Sequence, residues 1–171
     1  MAGATLAHQA FLYDGAEQFA EAMAPLVRAG AERGDSVLVA AKRASTEALL
    51  AELGDDAEGI ELHDTLEWHP RPVDRLMAVQ QAIAELPPDT GLLALGEPIW
   101  QGSAAMRREW VRYESTINVA LADAPLRFIC LYDRSELPEE ILGHGRGTHP
   151  ELVADGVGCL LYTSPSPRDR S

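Results

Sequence analysis

Cysteine is nearly absent from the 171-residue chain, which has only Cys130 and Cys159. Cys159 falls in a tail that is set aside below, so neither a disulfide nor a cysteine-based metal centre is expected. No apolar run approaches the roughly 20 residues that span a bilayer. The N-terminus has no basic stretch followed by an apolar one, so no signal peptide is expected and the cytoplasm is the default location. Positive charge is also scarce. Fourteen Lys and Arg face 27 Asp and Glu, a formal net charge of −13. A domain this acidic repels phosphate backbones, which argues against direct nucleic-acid binding.

The motifs of common chemistries are missing too. The first strand–helix junction reads Tyr13-Asp14-Gly15-Ala16-Glu17-Gln18-Phe19. It offers one glycine, no lysine and no Ser or Thr where a G-x-x-x-x-G-K-[ST] loop would cradle phosphates, and Asp14 and Glu17 oppose an anion there. There is no G-x-G-x-x-G, no HExxH, no CxxC and no Ser-His-Asp arrangement. The histidines at 63, 69, 144 and 149 lack metal-like spacing. The expectation is therefore no catalytic residue, no metal and no cofactor.

The last thirteen residues, CLLYTSPSPRDRS, resemble a translated sequencing adapter, and the composition there shifts to Ser, Pro and Arg without apolar periodicity. Residues 159–171 are read as a non-native, disordered tail, with the native frame interrupted near Gly158. Removing them leaves 12 basic and 26 acidic residues, a net charge of −14.

What remains alternates regularly. Apolar runs at His8–Tyr13, Ser36–Ala41, Ile60–His63, Leu92–Leu95 and Leu126–Tyr132 read as strands. Helical patterns at Gly15–Arg33, Ser45–Leu53, Val73–Leu86, Ser103–Ala122 and Leu137–Gly143 separate or follow them. Ser45 or Thr46 is the expected cap of the second helix and Ser103 that of the fourth. Such alternation predicts an α/β domain over residues 8–158: three layers, with a mainly parallel sheet of about five strands flanked by helices.

The chain is organised around GLLALGEPIW, residues 91–100. A doubly buried strand breaks at Gly96-Glu97-Pro98, which holds Glu97 at the carboxyl edge where open α/β sheets bind ligands, with Trp100 close behind. Tyr13 and Asp14 end the first strand, and Tyr132 and Asp133 end the fifth. On the fourth helix Trp110, Glu114 and Asn118 share one face at i, i+4, i+8. The bland alternative pairs Glu114 with Arg107, Arg108 or Arg112 at the surface. His8 reads as a satisfied strand residue and Cys130 as a small buried apolar one. One pocket is expected, lined by Tyr13, Glu97, Trp100, Glu114, Asn118 and Tyr132, with Asp14, Asp133 and His149 nearby.

Taken in order, His8 with FLY and Asp14-Gly15, then Gly96-Glu97-Pro98-Ile99-Trp100, then Tyr113-Glu114 through Asn118, then Cys130-Leu131-Tyr132-Asp133 and His149-Pro150, resemble the MEDS sensory domain. That family is named from methanogens, methylotrophs and the dichloromethane-responsive regulator. Several members carry Pro where Leu131 stands. The resemblance implies a RecA/KaiC-like fold without a P-loop and a non-catalytic input domain that senses a small organic ligand, such as a simple hydrocarbon derivative. It also implies an output partner, either a histidine-kinase-type anti-sigma ATPase or a DNA-binding domain. The competing readings are a protein-interaction module with no small ligand and, against the missing phosphate loop, an active ATPase.

Overall fold

The computed structural model describes residues 5–153 and 160–163. In chain order the elements are β1 (Ala7–Tyr13), α1 (Gly15–Glu32), β2 (Ser36–Ala41), α2 (Arg43–Leu53), a 3-10 turn at Gly54–Ala57, β3 (Glu61–Asp64), α3 (Pro72–Ala84), β4 (Leu92–Gly96), α4 (Ala104–Ala120), β5 (Leu126–Asp133), α5 (Glu139–Thr148), β6 (Glu151–Val153) and β7 (Leu160–Thr163). The strands form one sheet in the order β3-β2-β4-β5-β1-β6-β7. β1 to β6 pair in parallel and β7 adds an antiparallel edge.

The sheet separates two apolar layers. On one face Phe11, Tyr13, Val39, Leu93, Leu95, Ile129 and Leu131 meet Phe19, Met23 and Val27 of α1 and Leu49 and Leu53 of α2. On the other, Ala10, Leu38, Ala94, Phe128, Cys130 and Tyr132 meet Val79 of α3, Trp110, Tyr113 and Ile117 of α4, and Ile141 and Leu142 of α5. Strands covered on both faces are nearly all apolar, which is why the sequence shows runs rather than alternation.

The three-layer, mainly parallel α/β architecture is as expected, with two strands more than the five anticipated. β6 is only three residues long, too short to announce itself by pattern. The cap expected at Ser45 or Thr46 is not used: α2 starts at Arg43, with Lys42 in the N-cap position, and Ser45 is buried. The expected cap at Ser103 is present, its side chain accepting from the Met106 N–H. Leu160–Thr163, expected to belong to a disordered tail, pair with β6, whose outer edge offers unpaired backbone groups to any extended segment nearby. Cys159 and residues 164–171 of that tail lie outside the described residues.

Candidate functional site

Because β2, β4 and β5 are parallel neighbours, the residues that follow them lie side by side at the carboxyl edge. Lys42 follows β2, Glu97 follows β4 and Asp133 closes β5. Lys42, the only lysine in the sequence, places Nζ 2.8 Å from Asp133 Oδ2, 2.8 Å from Glu136 Oε2 and 3.6 Å from Glu97 Oε1. The Lys42 backbone N–H donates to Glu97 Oε2 at 2.9 Å. Burial pushes the Glu97 carboxyl up to about 7, and the Lys42 amide and ammonium offset this only in part. Burial by itself would lower the Lys42 ammonium, but hydrogen bonds to Asp133 and Glu136 win and raise it. Asp133 moves the other way. Its desolvation is outweighed by hydrogen bonds from Lys42, Ser135 and the Gly15 N–H, which hold the carboxyl below its usual range. Tyr13, side by side with Asp133 in the β1–β5 register, has its phenol raised by burial and then by the Glu97 charge.

The turn after β4 is held from behind by Arg75 of α3, a buried cation. Its Nη1 donates to the Glu97 carbonyl at 2.8 Å and to Thr65 Oγ1 at 3.0 Å, and its Nη2 to the carbonyls of Thr65 and Trp68. The guanidinium carbon also sits 4.9 Å from the Trp110 ring centre. A planar fork with several carbonyl acceptors can be buried without a carboxylate partner.

The second polar group lies on the opposite face of the sheet. Glu114 is fully buried. Its Oε2 is 3.0 Å from His149 Nε2 and 3.4 Å from His8 Nε2, and it accepts from the Cys130 thiol at 3.1 Å. Burial would raise the Glu114 carboxyl, but when the His149 and His8 rings are protonated on Nε2 their charge and hydrogen bonds override it and hold the group far below the usual carboxylate range. His8 Nδ1 bonds Asn118 Oδ1 at 2.9 Å, and Asn118 Nδ2 donates to the Thr148 carbonyl at 3.1 Å. His149 Nδ1 donates to the Gly145 carbonyl at 2.6 Å. A close approach makes this possible: a Cβ on Gly145 would stand 2.8 Å from the Tyr132 ring, so only glycine lets α5 settle over Tyr132 and deliver His149.

A cleft of about 520 Å³ opens between α4 and the segment leading into α5, bordered by Trp100, Arg107, Val111, Glu136, Leu137 and Ile141 among others. Trp100 is buried against Tyr132, and its indole N–H has no hydrogen-bond partner among the described residues.

The single expected pocket therefore divides. Tyr13, Glu97 and Asp133 gather at the edge on the α1–α2 side. Glu114, Asn118, Tyr132 and His149 gather on the α3–α5 side, where Trp100 borders the cleft. Strand parity explains this: Leu12 pairs with Tyr132, whereas Tyr13 pairs with Asp133, and neighbours in register share a face. Asp14 joins neither group; it is exposed and bonded to Arg134. Glu114 does not use surface arginines, and Arg112 pairs with Glu109 instead. Three participants escaped the sequence reading. His8 reads as structural because its partners lie more than 100 residues away, and Cys130 because its link to Glu114, 16 residues back, crosses from a strand to a helix. Lys42 is not singled out by any motif, although its being the only lysine is a usable signal.

The described residues thus form an open α/β domain with two polar clusters near the carboxyl ends of its strands. The family model of the methanogen/methylotroph, DcmR sensory domain matches residues 7–150. The chain belongs to this sensory-domain family. No curated protein matches it.

Proposed function

We propose that this chain is a non-catalytic input domain that binds a small organic ligand in the cleft beside Trp100 and passes the signal to an output partner. The observation carrying this reading is the Trp100 indole N–H, buried, without a partner among the described residues, on a side chain that borders a cleft of about 520 Å³. A buried donor left unpaired costs about 1–3 kcal/mol, which a ligand acceptor would recover. Apolar walls from Val111, Leu137 and Ile141 with a few charged groups at the rim suit a small organic molecule carrying one polar atom. Membership of a sensory family supports the role. The ligand class proposed is a simple hydrocarbon derivative, and the partner a kinase-type ATPase or a DNA-binding domain.

Calorimetric titration of one-carbon probes, namely methanol, methylamine and dichloromethane, tests this against a Trp100→Phe variant. Saturable binding by the wild type that weakens about tenfold or more in the variant supports the proposal. Equal binding by both would remove Trp100 from it.

A second reading, docking of a protein without a small ligand, draws on Val73 and Met77 of α3, which are 60% and 62% exposed. Met77→Glu should then abolish partner capture while leaving probe titrations unchanged.

A further inference from the structure

We propose that His8 Nε2, Glu114 Oε2, Cys130 Sγ and His149 Nε2 form a tetrahedral site for a divalent transition-metal ion of the zinc type. The site is independent of the ligand cleft.

The four side chains are all buried, and their donor atoms all lie within 4.8 Å of one another. Four edges of the group are 3.0 Å, 3.1 Å, 3.3 Å and 3.4 Å. Zinc–nitrogen and zinc–oxygen bonds of about 2.0–2.1 Å place tetrahedral ligands about 3.3 Å apart, with somewhat longer edges to sulfur. These four edges match those dimensions to within about half an ångström, and the other two are no longer than 4.8 Å.

Hydrogen bonding settles which ring nitrogens face the centre. The Thr148 carbonyl can only accept, so Asn118 presents Nδ2 to it and Oδ1 to His8. His8 Nδ1 is therefore the donor. The Gly145 carbonyl makes His149 Nδ1 a donor in the same way. In the neutral rings both Nε2 atoms then carry lone pairs, and both face the Glu114 carboxylate. Acceptors facing an acceptor at 3.0 and 3.4 Å leave a place that a cation fills. His149 Nε2 is within reach of Glu114 Oε2 yet lacks the alignment of a hydrogen bond, and Glu114 Oε1 also has no partner among the described residues. Atoms arranged around a common point do not aim at one another. The Nδ1–H bonds to oxygen acceptors are the second shell that orients metal-ligating histidines.

Charge balance agrees. One carboxylate and one thiolate contribute two negative charges, which a divalent ion neutralises inside an otherwise apolar layer. Binding would release the Cys130 proton to solvent. Two nitrogens, one sulfur and one oxygen exclude the hard cations, which prefer all-oxygen shells. Four protein donors leave no open position, so the ion is structural: it ties α4 and the exit of α5 to the central strands β1 and β5.

The test uses the whole 171-residue chain, unfolded with a chelator and refolded with cobalt(II) or zinc(II). The expected result is about one ion per chain retained through gel filtration. The cobalt form should show intense tetrahedral ligand-field bands with a thiolate charge-transfer band, and the melting temperature should be several degrees higher with zinc than with chelator. Cys130→Ser should lose the charge-transfer band. If that variant does not fold, the wild-type stoichiometry and spectrum decide the matter. A wild-type chain that refolds equally well without metal, retains none, and melts at the same temperature with zinc as with chelator would overturn the proposal and leave a proton-sharing network.

Discussion

Replacing Glu97 with Gln isolates the cost of ionising a carboxyl group at the end of β4. The Glu97 carboxyl rises from its ordinary 4.5 to about 7 in the folded protein. The folded state thus holds this proton more tightly than the unfolded chain does. Between the two values the unfolded state is ionised and the native state is not, so stability falls as pH rises. At about 1.4 kcal/mol per unit, the 2.5-unit gap amounts to about 3 kcal/mol lost by pH 8. Glutamine keeps the shape and still accepts from the Lys42 N–H, but it gives up the 3.6 Å contact with Lys42 Nζ. Glu97→Gln should therefore be about 1–3 kcal/mol more stable than wild type at pH 8 and no more stable at pH 5. Urea unfolding of both proteins at pH 5, 6, 7 and 8 gives the difference directly, and contributions from other titrating groups cancel. A difference that stays constant across this range, or that favours wild type increasingly as pH rises, would refute the reasoning.

Steric room decides a second pair of variants. Gly145→Ala drives a methyl to 2.8 Å from the buried Tyr132 ring and should cost about 1–3 kcal/mol in urea unfolding, whereas Gly143→Ala meets nothing within 4 Å and should gain a few tenths or more from helix propensity. ATP with magnesium should give no micromolar heat signal in calorimetry, because Asp133 already takes the Gly15 N–H at the start of α1 and the nearby cations are already paired, Lys42 with Asp133 and Glu136 and Arg134 with Asp14. Deleting residues 159–171 removes one four-residue edge strand, so the melting temperature should move by only a few degrees at most; a larger drop would make that tail part of the fold.

Much of the fold was legible because its signals are local. Runs such as Val37–Ala41 and Leu92–Leu95 are apolar and buried at every position, as doubly covered strands must be, and many of the turns between them carry Gly, Pro or Asp. β6 was not legible because three residues show no period. The site was legible in its parts and not in its assembly. Glu97, Trp100 and Glu114 stood out as polar or aromatic groups at breaks in apolar pattern. Which face each one joins depends on strand parity, and a shift of one residue reverses it. His8 and Cys130 meet only because β1 lies beside β5, and sequence spacing carries no trace of that pairing.

The most direct measurement of the sensing role is a nitrogen–proton NMR titration of the indole N–H groups with methanol, methylamine and dichloromethane. The chain has three tryptophans, 68, 100 and 110, so the signals separate, and Trp100→Phe assigns the one in question. A saturable shift of the Trp100 indole signal with at least one probe is expected, as its N–H gains an acceptor. No shift of that signal at millimolar probe, or shifts confined to Trp68, would contradict it.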